Sequence, residues 1–415
     1  MNMPDEEIYI GRQPILNRKQ ELVAYELLFR SSRQKNAAEI SDNLVATAKV
    51  ISHAFVDLGV EQALGPYKGF INCDENILLS DMLEALPYDK IVLEVLETVE
   101  VTPEIVERCH TLKQIGFSLA LDDFITYEDK FKPLLDLVEI VKVDLLPLNS
   151  TSLTAVTQSL KKWKLQLLAE KVDSREQADF CNTLGYDYFQ GYYFAKPTII
   201  AGKKLGHSQL SLMRLLGLVL EDAETPQLES VLKTEPGLTM NLMRLTNSAA
   251  SGVRTKVTSI RHAITVLGRR QLQRWLQLLL YTNPSGSQTV SPLLLLAASR
   301  GRLMELLAGK LKPKHNEFED MAFMTGIMSL MPTLMGLPLE QILSGIELDA
   351  TVKTALEARQ GMLGTMLQLT EALEAGDGAS CHAVTETLPG LDATIVNACL
   401  AQALTWANNI GKEGE

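Results

Sequence analysis

From Phe70 to Phe194 short apolar runs alternate with helix-length stretches. The runs are GFINC, KIVLEVLE, FSLALDDF, IVKVDLL, LQLLAEKV and YDYFQGYYF. Each is bounded and strand-length, and between them Ile105–Ile115, Leu153–Trp163 and Arg175–Leu184 carry apolar residues at helical spacing, as Val45–Leu58 does earlier. Upstream, Ile8–Leu16 and Leu22–Phe29 are separated only by Asn17-Arg18-Lys19-Gln20. A parallel crossover needs a dozen or more residues, so this pair is an antiparallel hairpin. Eight strand candidates in about two hundred residues, mostly alternating with helices, predict a modified (β/α)8 TIM-like barrel whose first strand runs against the rest.

Near the C-terminal end of each later run stands a polar residue: Asn72, Glu94, the pair Asp122-Asp123, Lys142, Glu170 and Gln190. A parallel barrel gathers the C-terminal ends of its strands on one face, where such barrels perform chemistry. Carboxylates and an Asn carbonyl collected there suit hard, oxygen-loving cations such as Mg2+ or Mn2+. The adjacent pair Asp122-Asp123 suits a bridging ligand and its neighbour, because a strand end breaks strict alternation. Lys142 is a point charge able to polarise an attacking water.

After Lys196-Pro197 and a short linker, Ile200–Lys204, the pattern becomes helical only. SQLSLMRLLGLVLEDA, LESVLKT, LTMNLMRLTNS, IRHAITVLG and RQLQRWLQLLL are amphipathic, Asn283–Ser291 reads as a loop, and the tail after Leu388-Pro389-Gly390 closes on one more helix. The division predicted is a barrel domain over 1–200 and an all-helical domain over 201–415.

Composition narrows the classes. The five cysteines are scattered without CxxC spacing, which points away from a zinc site or disulfide framework and towards a reducing cytoplasm. The acidic N-terminus lacks an apolar core of signal-peptide length, and the most apolar windows, Leu276–Leu280 and Leu293–Ala298, fall far short of a membrane span. A cytoplasmic protein with no membrane partner is expected. The net charge of −12 lies in the first half: residues 1–200 hold 31 acidic and 20 basic residues, against 20 and 19 in the remainder. Nucleic acid is therefore an unfavoured partner. Within the second half, Pro236–Met304 contains no acid but nine basic residues: Arg244, Arg254, Lys256, Arg261, Arg269, Arg270, Arg274, Arg300 and Arg302. Either Leu-rich helices carry Arg on their outer faces, snorkelling over apolar surface, or the stretch is a docking face for an acidic partner.

The motifs RQPI (12–15), YELLFR (25–30), FIN (70–72), LEVLE (93–97), ALDDF (120–124), KVD (142–144), AEKVD (169–173) and FQGYYF (189–194) resemble, in order and spacing, those of the EAL domain, a family linked to the bacterial second messenger cyclic di-GMP. The resemblance covers residues 7 to 198. It implies metal ligands at Glu26, Asn72, Glu94, Asp122, Asp123 and Glu170. It also implies catalytic roles for Lys142, Glu170 and Gln190, substrate contacts from Arg30, Gln13 and Gln190, and a loop anchor at Glu97. The activity implied is metal-dependent opening of cyclic di-GMP to the linear dinucleotide. Three departures from the family pattern stand out. Ile-Thr-Tyr-Glu-Asp-Lys (125–130) replaces the Gly-Thr-Gly-Tyr-Ser loop after the paired aspartates, Glu-Leu-Leu replaces Glu-Ala-Leu, and Lys171 replaces a glycine. Retained ligands in altered surroundings leave a slow enzyme, a non-catalytic nucleotide sensor and a protein-interaction scaffold as alternatives.

GLTMNLMRLTNSA (237–249) and VTSIRHAITVLGRRQLQRWL (257–276) resemble the HDOD domain, a helical module related to HD phosphohydrolases, over residues 207–400. The weakened HD position is occupied by Ser329 and Leu330, and His207, His262, His315 and His382 lack ligand spacing. The resemblance implies no metal in this half and an output role through protein partners. A homodimer stays open.

Overall fold

The computed structural model describes residues 8–31, 64–191, 207–247, 257, 259–281, 291–343 and 348–410. Two compact units form, one of residues 1–196 with 368–415 and one of residues 197–367.

In the first unit eight strands close into a barrel in sequence order: β1 (Ile8–Asn17), β2 (Leu22–Ser31), β3 (Lys68–Cys73), β4 (Ile91–Val95), β5 (Ser118–Phe124), β6 (Ile140–Asp144), β7 (Gln166–Glu170) and β8 (Tyr188–Phe189). β1 pairs antiparallel with both β2 and β8, and every other pairing is parallel. The hairpin turn closes through Asn17, whose N–H donates to the Glu21 carbonyl and whose side chain accepts from Lys19 N and Glu21 N.

The crossover helices begin and end where side chains satisfy their terminal groups. Thr102 caps Pro103–Ile115, Asn149 and Ser152 form a capping box on Ser150–Leu160, and Ser174 caps Arg175–Leu184. The helix expected over Val45–Leu58 lies outside the described residues.

One layer of the barrel interior is apolar. It takes Ile15, Ala24, Phe70, Val92, Ala120, Ile140 and Leu168, one from each of seven strands, with Tyr188 of β8 packed against it. Burying each large member contributes about 1.5–3 kcal/mol.

The first unit also takes in the helices after Gln368. The sequence reading grouped 201–415 as one helical domain, whereas here the last helices lie on the barrel. Ile10 N–H donates to Asn397 Oδ1 at 3.2 Å. A Cβ on Gly11 would stand 2.4 Å from the Leu373 carbonyl oxygen, so only glycine lets this chain segment approach β1 so closely. Apolar helix faces such as that of Ala393–Ile410 must be covered by something, and the outer hairpin is what covers them.

The second unit is helical throughout its described residues, from His207–Leu220 onward. IRHAITVLG and RQLQRWLQLLL form a single run, Ile260–Leu279, kinked at Gly268, whose backbone adopts φ 75°. Arginines of the acid-free stretch are met by acids from elsewhere in the same unit. Arg261 pairs with Glu229, Arg269 with Asp222, Arg270 with Asp320, and Arg274 with both Glu305 and Asp320. Arg302 also reaches Glu305, whose carboxylate is buried. For these residues the basic stretch is an internal ion-pair network, which neither sequence reading anticipated. The side chains of Arg244, Arg254 and Lys256 and the loop Asn283–Val290 lie outside the described residues. No described helix is long and apolar enough to cross a membrane.

Candidate functional site

The strand period of two builds the site directly above the apolar layer. Two residues on from Ala24, Phe70, Val92, Ala120, Ile140, Leu168 and Tyr188 come Glu26, Asn72, Glu94, Asp122, Lys142, Glu170 and Gln190. β1 runs the other way, so its contribution, Gln13, stands two residues before Ile15 and opposite Glu26 in register. A run of alternating sequence thus becomes a ring of polar side chains at one depth.

At the centre of the ring is Lys142. Its Nζ lies 2.7 Å from Asp122 Oδ1, 2.8 Å from Glu94 Oε1, 2.9 Å from Glu170 Oε1 and 3.4 Å from Glu26 Oε2. Lys142, Glu94, Glu26 and Glu170 are all buried. Burial works against the charge on Lys142, but the four carboxylates outweigh it and hold its pKa well above the ordinary lysine value. Burial dominates for Glu94 and lifts its carboxyl well above the usual range; it also lifts Glu170 to about 8. For Glu26 the burial effect is overcome by Lys142 and by donors from Gln190 and Asn72, so its pKa is lowered.

The amides fix Glu26. Asn72 Nδ2 donates to Glu26 Oε1 at 3.0 Å, and Gln190 Nε2 donates to Glu26 Oε2 at 2.6 Å and to Gln13 Oε1 at 2.9 Å. This orientation leaves Asn72 Oδ1 and Gln190 Oε1 buried without a hydrogen-bond donor, along with both oxygens of Glu94, Asp122 Oδ1 and Glu170 Oε2. Glu94 Oε1 and Asp122 Oδ1 have Lys142 within ion-pair distance but no aligned hydrogen bond. Four carboxylates around one ammonium, with buried oxygens lacking donors, cost several kcal/mol in desolvation. Such a set fits a hard divalent cation, which takes several oxygen ligands and needs no directed hydrogen.

Asp122 and Asp123 project differently because β5 bulges there. The pairing with β6 passes from Leu121 opposite Val141 to Phe124 opposite Val143, so two aspartates face the one position of Lys142. Asp122 joins the inner ring, while Asp123, at φ 44°, turns to the rim. There Lys171 Nζ bridges Asp123 Oδ1 at 2.8 Å and Asp144 Oδ2 at 2.7 Å. Glu97, expected as a loop anchor, is exposed, and its carboxylate lies within 4.8 Å of those of Asp122 and Asp123, a group able to hold a metal ion.

Asp144 was not singled out from sequence. The signal was present: KVD puts Lys142 and Asp144 on the same face of β6. Gly191 positions the far side. A Cβ there would stand 2.3 Å from Val172 N, which itself donates to the Gln190 carbonyl. The side chain of Arg30 lies outside the described residues; its backbone pairs with Tyr9.

The loop replacing the family's glycine-containing segment is pinned by aromatic contacts. Tyr127 lies against Trp163 with ring centroids 5.7 Å apart and donates to Asp129 Oδ1, and Trp163 Nε1 donates to Asp136 Oδ1 at 2.7 Å. In the second unit, at the HD position, the Ser329 hydroxyl accepts from Arg300 at 2.7 Å and Leu330 is buried.

Comparison with known proteins places both halves in known families. A family model for the EAL domain matches residues 5–197 and one for the HDOD domain matches residues 207–359. The chain is 30% identical over 411 residues to Uncharacterized protein YuxH of Bacillus subtilis, covering 97% of this chain and 98% of that one. It is 29% identical over 412 residues to Cyclic di-GMP phosphodiesterase CdgJ of Vibrio cholerae, covering 97% and 93%. A shorter stretch of 118 residues is 34% identical to Probable cyclic di-GMP phosphodiesterase PdeG of Escherichia coli, covering 26% of this chain and 23% of that one. With a closed eight-stranded barrel whose first strand is antiparallel and a helical unit after it, the chain belongs to the family of proteins that join an EAL domain to an HDOD domain.

Proposed function

We propose that the barrel binds cyclic di-GMP at the C-terminal face of its strands and opens it slowly to the linear dinucleotide. The observation that carries this reading is the ring of Glu26, Asn72, Glu94, Asp122 and Glu170 around Lys142, with buried oxygens that lack donors. The names of two relatives, CdgJ and PdeG, support the same substrate.

Water adds its oxygen to phosphorus, the P–O3′ bond breaks, and a proton reaches the leaving oxygen. Divalent cations, Mg2+ or Mn2+, supply charge stabilisation for the attacking and leaving oxygens when bound. Glu26, Asn72, Glu94, Asp122 and Glu170 are the residues we assign to hold them, with Asp123 at the rim a ligand only where Lys171 releases it. In the metal-free chain four carboxylates favour the Lys142 ammonium; the part we assign to it is electrostatic, holding the nucleophilic water and the transferred charge in place. Gln190 and Gln13 orient Glu26 and complete the substrate-facing wall. We assign Arg30 to a substrate phosphate on the family pattern alone. The helical half serves as the output, meeting a protein partner, without a metal of its own.

A second reading, a nucleotide sensor without turnover, is favoured by two features: the loop Ile125–Lys130 lacks the glycines of the family pattern, and Lys171 occupies the rim acids. One experiment separates them. Purified full-length chain is incubated with cyclic di-GMP and Mn2+, products are resolved by chromatography, and binding is titrated in Ca2+. The enzyme reading expects linear product at a rate well below the ~10 s⁻¹ of a typical enzyme. Binding without product leaves the sensor, and neither binding nor product leaves a scaffold.

A further inference from the structure

Lys171 stands in a conformation that its side chain makes costly. Its φ of 54° lies in the left-handed region, which is strained for a residue bearing a Cβ and costs a glycine almost nothing. Strain of this kind persists where the surroundings fix it. Here that backbone carries the far end of the side chain to a place between Asp123 Oδ1 and Asp144 Oδ2. Asp144 is already committed on its other oxygen, which accepts from Leu146 N at 2.9 Å.

The barrel face therefore presents two acid groups in different states. The inner ring has more carboxylates than its one lysine can serve, and several of its buried oxygens lack donors. At the rim, Asp123 and Asp144 share an ammonium at short distance. The oxygens that would gather an ion at the rim, those of Glu97, Asp122 and Asp123, include the residue that Lys171 holds.

We infer that Lys171 is a built-in cation that takes the place of a second divalent ion at Asp123, so that this barrel face holds one metal ion where the same acids without Lys171 would hold two. The inference rests on the reading of the ring as a divalent-cation site. An ammonium neutralises charge but offers no open coordination position, so it stabilises neither the attacking nor the leaving oxygen as a metal does. Slow turnover then follows from Lys171 as well as from the altered loop.

The test is metal stoichiometry, with turnover kept as a secondary readout. Full-length wild type, Lys171→Gly and Lys171→Arg are stripped with chelator and titrated with Mn2+ by calorimetry, and the bound ions are followed by electron paramagnetic resonance. Glycine suits the backbone at this position, so Lys171→Gly should fold, and melting in chelator checks it. The expected result is one ion in wild type and Lys171→Arg, and two in Lys171→Gly with the spectral signature of spin-coupled neighbours. Two ions in wild type, or one in Lys171→Gly, would overturn the inference while leaving the metal site intact. No Mn2+ bound by any of the three chains would overturn both the inference and the site reading beneath it.

Discussion

Lys142 and Glu94 meet at 2.8 Å with both side chains sealed from solvent, the lysine 1% and the glutamate 0% exposed. A charged pair this deep is unfavourable unless further groups serve it. Here three more carboxylates share the ammonium, leaving the ring with more acid than its one lysine can neutralise.

Replacing Lys142 with Met should therefore destabilise the metal-free protein by about 3–5 kcal/mol, the loss seen when one partner of a buried pair is removed. The melting temperature in chelator should fall, and Mn2+ should raise it by more than in wild type, because the ion then faces the unrelieved acids alone. An unchanged melting temperature in chelator would show that Lys142 does not hold the ring together.

Glu94→Gln should separate folding from metal binding. Burial works against the charge on Glu94, so the uncharged amide should leave the chelator-treated protein close to wild type in stability. Wild type should gain about 2.7 kcal/mol at a hundredfold excess of Mn2+ over its Kd, and Glu94→Gln should lose most of that gain. Thermal denaturation with and without metal reads both effects.

The Glu170 carboxyl gives the metal-free protein a pH dependence of definite sign. Its folded pKa, about 8, lies above the 4.5 of an unperturbed glutamate, so the folded state binds the proton more tightly than the unfolded state does. This contribution to stability is complete below 4.5 and is lost as pH rises through about 8. Melting in chelator should decline over that window, and Glu170→Gln should flatten the decline. A wild-type profile with the same slope as the variant would refute the assignment.

Gly191→Ala should damage the far side of the ring. The added Cβ would overlap Val172 backbone, at a cost of about 1–3 kcal/mol for the forced backbone strain. Displacing Gln190 should also weaken cyclic di-GMP binding in Ca2+, measured by titration. Loss of stability with unchanged affinity would mean that Gln190 does not face the ligand.

In the helical unit, Glu305→Ala should remove the buried carboxylate that Arg274 and Arg302 both reach, leaving Arg274 its second acid Asp320, and lower stability by about 1.5–3 kcal/mol. Mn2+ binding to the barrel should be unchanged, which calorimetry on the same preparation would establish.

The strand order, the antiparallel start and the depth of the polar ring were legible in the chain, because each depends on a local rule. Four residues between two apolar runs force a hairpin, and a period of two lifts Glu26, Asn72, Glu94, Asp122, Lys142, Glu170 and Gln190 one step above an apolar layer. What only the tertiary structure decided involves residues far apart. Barrel closure put Lys142 at the centre of four carboxylates from four other strands. A bulge in β5 sent Asp122 inward and Asp123 to the rim, and a left-handed backbone at Lys171 brought its ammonium to Asp123 and Asp144. The late helices settled on β1 through Gly11, and the acid-free stretch found its acids at Glu229, Asp222, Glu305 and Asp320. Periodicity is written residue by residue, whereas a salt bridge or a backbone-to-backbone contact exists only once the chain has closed on itself.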